Sequence, residues 1–219
     1  MTPISKRDWI FIAVANAVSL VIAGVAAALH LGWTAASASV VIELVMLGVF
    51  CFRHSEPLFA RLFVFGLAAG FAELGNDTWL IAKKILVYYP GGPFIIDTPL
   101  YMPFSWALIF VTNGTIALWL QQKLGGWKAA LAMAAISGLY IPGFEAIAAK
   151  ADWWYYRDVP MLLGLAPLFV VLGEALLALP LPAMAAAMQK RGFGFAAGLG
   201  VAEGLFVWVT TAIALAVVG

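Results

Sequence analysis

The sequence has little charge, one cysteine and two histidines. Only 11% of its 219 residues are charged, 64% are hydrophobic, and the mean hydropathy is +1.01. A soluble domain carries about 25% charged residues, so this composition indicates an integral membrane protein. The net charge of +1 provides no field that would attract nucleic acid or an anionic partner. The single Cys51 excludes an internal disulfide and a cysteine-based metal cluster.

The missing residue types and motifs also restrict the chemistry. His30 and His54 lie at the ends of apolar stretches, which excludes the histidine clusters of diiron desaturases and zinc-dependent membrane hydrolases. The chain has no Gly-x-Ser-x-Gly, Walker A or Rossmann motif. Its last apolar stretch lacks the lysine that a retinal pigment needs. We therefore expect no metal and no cofactor, which leaves carboxyl proton chemistry or the passage of a solute.

Seven apolar stretches are each long enough to cross a bilayer, for which about 20 residues are needed. They predict an all-α fold, a seven-transmembrane helix bundle forming one domain over residues 1–219. The predicted spans are 9–31, 34–52, 59–82, 99–121, 127–149, 159–187 and 193–218. Lysine and arginine favour the N-terminal side eight to four, which predicts a cytoplasmic N-terminus and an external C-terminus. We expect a multi-pass protein of a bacterial inner membrane.

Aromatic residues cluster in the two connections assigned to the outer side. Tyr88, Tyr89 and the run 153–156 (WWYY) are typical of an aromatic belt at a membrane interface. The segment 85–96 is too short and too broken by proline and glycine to span. We expect it to lie along the outer interface and shape an entrance.

Carboxyl groups inside apolar spans are the main functional signal. A carboxylate at bilayer depth is energetically costly and is a functional hypothesis by default. No lysine or arginine lies at a comparable depth to pair with these groups. Asp77 follows Glu73 by one helical turn, so the two share a helix face. The predicted catalytic residues are Glu73, Asp77, Glu145, Glu174 and Glu203.

Other side chains on the same spans are candidates for substrate contact. Polar ones recur on faces near the acids, and aromatic ones can stabilise a cation in a dry pocket. The predicted substrate-binding residues are Glu43, Asn76, Asn113, Trp79, Trp106, Phe110, Tyr140, Phe144 and Trp208.

A repeat is suggested by two Asp-x-Pro sequences. Asn113 follows Asp97 at the same separation in sequence at which Glu174 follows Asp158. Both aspartates are expected to cap helices, since aspartate is a good N-cap and proline is tolerated in the first turn. We predict three parallel helical-hairpin repeats, spans 2–3, 4–5 and 6–7, after an additional N-terminal helix. Their polar pairs are Glu43/Glu73, Asn113/Glu145 and Glu174/Glu203.

Two stretches carry a family resemblance: 73–79 (ELGNDTW), and Glu145 followed by 152–156 (DWWYY), Pro160 and Pro167. Over residues 66–180 the chain resembles small seven-helix integral-membrane terpene cyclases and membrane carotenoid hydratases. The resemblance implies protonation of an alkene or epoxide by an acidic residue. The chain departs from the hydratases at residues 146–150, directly after Glu145.

The leading hypothesis is a membrane enzyme that modifies a lipophilic isoprenoid, a terpenoid or carotenoid, by acid–base catalysis. Its substrate would come from the bilayer, and its partners would be membrane lipids. Glu73 or Asp77 is the expected acid, and Glu145, Glu174 and Glu203 are the expected base or positioning groups. The alternatives are a proton-coupled small-molecule transporter and a non-catalytic membrane subunit.

Overall fold

The computed structural model describes residues 2–54 and 57–219, and within them the fold is all-α with six very short strands. The helices are α1 (Lys6–Leu29), α2 (Gly32–His54), α3 (Pro57–Ala82), α4 (Met102–Lys123), α5 (Gly126–Lys150), α6 (Leu168–Leu177), α7 (Leu181–Met188) and α8 (Phe193–Val218). Helices α6 and α7 together make one membrane-length segment, Leu168–Met188. Seven helical segments of the described chain are thus long and apolar enough to cross a membrane.

The helix boundaries follow local chemistry. The Ser5 side chain accepts a hydrogen bond from the Asp8 amide at 3.2 Å, and Asp8 accepts one from the Ser5 amide at 2.8 Å. This reciprocal cap begins α1. The sixth segment is broken between Leu177 and Leu181, where Pro180 cannot donate a backbone hydrogen bond. The predicted span 159–187 thus contains two helices, which together are long enough to cross a membrane.

All the strands lie in the connections after α3 and α5. Strand β1 (Leu86–Tyr88) pairs antiparallel with β4 (Trp154–Tyr156), so the two connections form one ribbon. Two small hairpins follow, β2 (Phe94–Ile95) with β3 (Thr98–Pro99), and β5 (Met161–Leu162) with β6 (Ala166–Pro167). We call this side of the bundle the strand end.

The two hairpins correct the predicted helix caps. Asp97 lies in the turn between β2 and β3, and α4 begins only after Tyr101. Asp158 has a φ of 53° and lies ahead of β5, while α6 begins after Pro167. Neither aspartate caps a helix, because hairpin residues follow each one before the next helix begins. Spans 4 and 6 consequently start at 102 and 168, later than predicted.

Helix α3 is central because small residues let its neighbours approach closely. A β-carbon on Gly66 would lie 2.7 Å from the Ala107 Cα of α4. On α8, a β-carbon on Gly200 would lie 2.1 Å from the Phe65 carbonyl oxygen of α3. Such contacts between backbones are how small residues serve helix packing in membranes. They place the acidic face of α3 inside the bundle.

The buried apolar side chains form two clusters. One, at the end of the bundle away from the strands, includes Phe59, Phe65 and Met133. The other, at the strand end, includes Trp154 and Phe169. A cavity borders this second cluster.

Candidate functional site

A cavity of about 550 Å³ lies inside the bundle near the strand end. Its wall comes from α1 to α6, α8, β1 and β4, so every membrane-length segment contributes. Ten of the fourteen sequence-predicted site residues line it. They are Glu43, Glu73, Asn76, Asp77, Trp106, Asn113, Tyr140, Phe144, Glu145 and Glu174.

Two carboxyl groups of α3 form the centre of the acidic wall. Glu73 and Asp77 are both buried, with 3% and 4% of their surface exposed, and their carboxyl groups contact each other. Asp77 Oδ2 accepts hydrogen bonds from the Tyr88 hydroxyl at 2.6 Å and the Thr98 hydroxyl at 3.2 Å. Glu73 Oε2 has no hydrogen-bond partner within the described residues. The arrangement suits an aspartate anion beside a glutamic acid whose proton is available.

Glu145 is held by the strand ribbon. The Trp154 indole donates from Nε1 to Glu145 Oε2 at 2.7 Å, and the Tyr156 hydroxyl is a second neighbour of the carboxyl group. Trp154 is fixed by ring contacts with Tyr88 at 6.1 Å and Phe144 at 5.8 Å between centroids. Glu145 therefore has a defined orientation in the wall.

The remaining polar groups of the wall are also positioned. The Asn113 side chain donates to the Tyr140 hydroxyl at 2.9 Å, which links α4 to α5. Glu43 accepts from the Ser39 hydroxyl at 2.9 Å, one turn earlier on α2. Glu174 reaches the wall from α6. Within the described ranges, no three His, Cys, Asp or Glu side chains are arranged to hold a metal ion.

Four predicted site residues lie outside the cavity wall: Trp79, Phe110, Glu203 and Trp208. Trp79 and Trp208 contact each other with ring centroids 6.3 Å apart. Phe110 is 3% exposed and stacks behind Trp106 in the core. Their helices were identified correctly, but residues a few positions apart on one helix point in different directions. The structure thus does not bring them to the cavity that contains the other ten.

Glu203 is fully buried on α8, and neither of its carboxyl oxygens has a hydrogen-bond partner among the described residues. An unsatisfied buried polar group costs about 1–3 kcal/mol. Replacing it by leucine is therefore expected to raise the free energy of unfolding by about this amount. Unfolding in detergent measures the change. Glu203→Gln keeps a polar group in the same volume and should show no such gain. A Glu203→Leu protein less stable than Glu203→Gln would contradict the expectation.

Three hydroxyl groups of the site were not among the predicted site residues. Tyr88, Tyr156 and Thr98 were read as interface or helix-start residues, yet each is close to a carboxyl group of the cavity. Burial, followed by the nearby carboxylates, raises the pKa of Tyr88 and Tyr156 above the ordinary tyrosine value. Both hydroxyls therefore remain protonated donors at neutral pH. Tyr88 and Tyr156 share one face only because β1 pairs with β4 in this register, which alternation within either strand does not reveal.

Together, the fold and the site define a class: an all-α protein with seven membrane-length helices around an acid-lined interior cavity. A family model matches residues 74–218, and the chain belongs to that family, described as a domain of unknown function (DUF6989). The matched range begins directly after Glu73 and contains Asp77, Glu145 and Glu174. No curated protein and no solved structure matches the chain.

Proposed function

We propose that this protein is a membrane-embedded enzyme that modifies a lipophilic isoprenoid by carboxyl acid–base catalysis. One observation carries the proposal: a buried Glu73–Asp77 pair lies in the wall of an apolar, aromatic-lined cavity. The volume of about 550 Å³ falls in the range that holds small organic ligands. An apolar cavity with a few convergent polar groups is the usual form of such a site.

Protonation of a carbon–carbon double bond is the step that suits these groups. The alkene π electrons form a C–H bond to the carboxyl proton of Glu73, whose O–H electrons remain on oxygen. The resulting carbocation can be attacked by a second double bond, which closes a ring. A C–H electron pair next to the cation then becomes a new double bond, and its proton passes to Glu145. The step is redox-neutral. Glu145 then releases its proton to solvent and Glu73 takes one up from solvent, which restores the enzyme.

The aromatic wall supports a cationic intermediate. Trp106, Phe144 and Trp154 all line the cavity close to the acids. Aromatic faces attract a cation, and more strongly when water is excluded.

Entry from the bilayer is consistent with the exposed part of the wall. Leu20 on α1 and Tyr140 on α5 line the cavity and are 60% and 39% exposed. We place the entrance between these two helices, where a hydrocarbon could pass without crossing water. We also propose that the protein lies in a bacterial inner membrane, with its N-terminus in the cytoplasm and its C-terminus outside.

A direct test reconstitutes the purified protein in vesicles that contain a panel of linear isoprenoid alkenes and epoxides. We expect conversion of at least one to an isomer of the same mass with fewer or relocated double bonds. Proton-coupled solute uptake without any conversion would support the transporter alternative and reject the enzyme. A protein that shows neither conversion nor uptake by itself, and is active only with a partner chain, would support a non-catalytic subunit. That result would also reject the enzyme.

A further inference from the structure

Two segments of the chain repeat the same order of elements. Each consists of a long helix, a short strand, a two-stranded hairpin and a further helix. Equivalent landmarks of the two segments are separated by one constant offset in sequence: the ends of the first helices, the left-handed residues after them, the turn residues of the hairpins and the last prolines. These pairs are Ala82/Lys150, Lys84/Asp152, Ile96/Gly164 and Pro99/Pro167.

The strand ribbon shows the symmetry that relates the two units. In the antiparallel pairing, Leu86 faces Tyr156, Val87 faces Tyr155 and Tyr88 faces Trp154. A two-fold rotation about the central Val87–Tyr155 pair exchanges β1 and β4. It therefore exchanges Tyr88 with Tyr156, which are separated by the same offset as the landmarks.

The acids of the cavity follow the same relation. Glu145 follows Asp77 at this same offset, near the end of the equivalent helix. Asp77 accepts from Tyr88, and Glu145 is adjacent to Tyr156, so each unit has one carboxyl–tyrosine pair. Both pairs face the same cavity. The two units consist of spans 3–4 and spans 5–6. The repeat predicted from the sequence pairs spans 2–3, 4–5 and 6–7 instead, and it stays a prediction.

The two pairs are not chemically equal. The first unit has Glu73 and Thr98, and the equivalent positions of the second are Ile141 and Ala166. The second unit instead has Trp154, whose indole N–H binds Glu145. In the first unit the extra acid lies one helical turn from Asp77, which accepts two hydroxyl donors. The extra acid of the second unit, Glu174, lies instead on its second helix, where the first unit has Trp106.

We infer that the cavity arose from two copies of one helix–strand–hairpin–helix unit, the first now specialised to donate a proton and the second to accept one. In this division Tyr88 and Thr98 are positioning residues. Their two hydroxyls stabilise the Asp77 anion, which keeps the proton on Glu73. The roles of donor and acceptor rest on the proposed function, while the pairing of Asp77 with its hydroxyl donors does not.

Infrared spectroscopy of the purified protein tests the positioning role without any substrate. A protonated carboxyl group and a carboxylate absorb at different frequencies. We expect Glu73→Gln to remove intensity from the protonated-carboxyl band and Asp77→Asn to leave it. In a Tyr88→Phe background the proton should shift to Asp77, so that Asp77→Asn now removes intensity. Loss of intensity with Asp77→Asn in the otherwise unchanged protein would overturn the inference.

Turnover provides the second readout, with matched variants in the two units. Thr98→Val is expected to lower kcat by about tenfold or more at unchanged KM, because a hydrogen bond to a charged group is lost. Thr98→Ser keeps the hydroxyl and should restore most of the activity. Tyr88→Phe should reduce kcat more than Tyr156→Phe. It leaves Asp77 only the 3.2 Å bond from Thr98, whereas Glu145 retains the 2.7 Å bond from the Trp154 N–H. Equal kcat for Thr98→Val and Thr98→Ser would overturn the positioning role. Full activity of Glu73→Gln would instead reject the proposed function.

Discussion

Glu73→Gln is expected to lower turnover by about a hundredfold or more while the protein still folds. General acid catalysis contributes about 10²–10⁴-fold, and glutamine cannot donate a proton to carbon. The substitution preserves the volume of a side chain that is 3% exposed, so the packing around it should be retained. The measurement is the rate of isoprenoid conversion in reconstituted vesicles.

A matched carboxyl-to-amide change away from the cavity controls for this result. Asp152 lies outside the cavity wall, 3.3 Å from His30 Nδ1 in the connection after α5. Asp152→Asn should retain most of the activity. If Glu73→Gln kept more than about a tenth of the turnover, a result below the usual contribution of a general acid, Glu73 would not be the proton donor.

Gly200→Ala is expected to destabilise the bundle by about 3 kcal/mol or more, at or above the upper end of overpacking costs. The added β-carbon would lie 2.1 Å from the Phe65 carbonyl oxygen, and a backbone atom cannot rotate away. Gly204 makes the same kind of approach, 2.3 Å from the Ala69 carbonyl oxygen. Helices α3 and α8 would have to separate, which would also displace Glu73.

Gly198 on the same helix is the control, because a β-carbon there would meet no atom within 4 Å. Gly198→Ala should be neutral or stabilising by up to about 1 kcal/mol, since alanine is the better helix former. Unfolding in mixed detergent measures both variants. Equal stability of Gly200→Ala and Gly198→Ala would show that α3 and α8 do not pack as described.

Periodicity and hydropathy were sufficient to predict the helices and most of the cavity. The absence of charge along each span requires helical segments of membrane length, and seven are found. Within such segments, acids are costly unless they face an interior. Glu73, Asp77, Glu145 and Glu174, which were predicted to be catalytic, all line the cavity. The position of these acids in the cavity wall therefore follows from the cost of placing a carboxyl group in the bilayer.

The connections could not be predicted in the same way. Strand β1 pairs with β4 across two intervening helices, α4 and α5, and no local pattern reveals such a partner. Tyr88, Thr98 and Trp154 reach the carboxyl groups only because of that ribbon and its hairpins. The position of Glu203 relative to the cavity could not be predicted from its depth in the span. Glu203 is as buried as the other acids but lies outside the cavity wall.

The proton-transfer claim is tested most directly by running the conversion in D₂O and reading the product by mass spectrometry. Protonation of a double bond by an exchangeable carboxyl group predicts a product heavier by at least one deuterium, fixed in a C–H bond that was absent from the substrate. Glu73→Gln should yield no such product. A converted alkene substrate without deuterium would contradict acid catalysis by the cavity carboxyl groups.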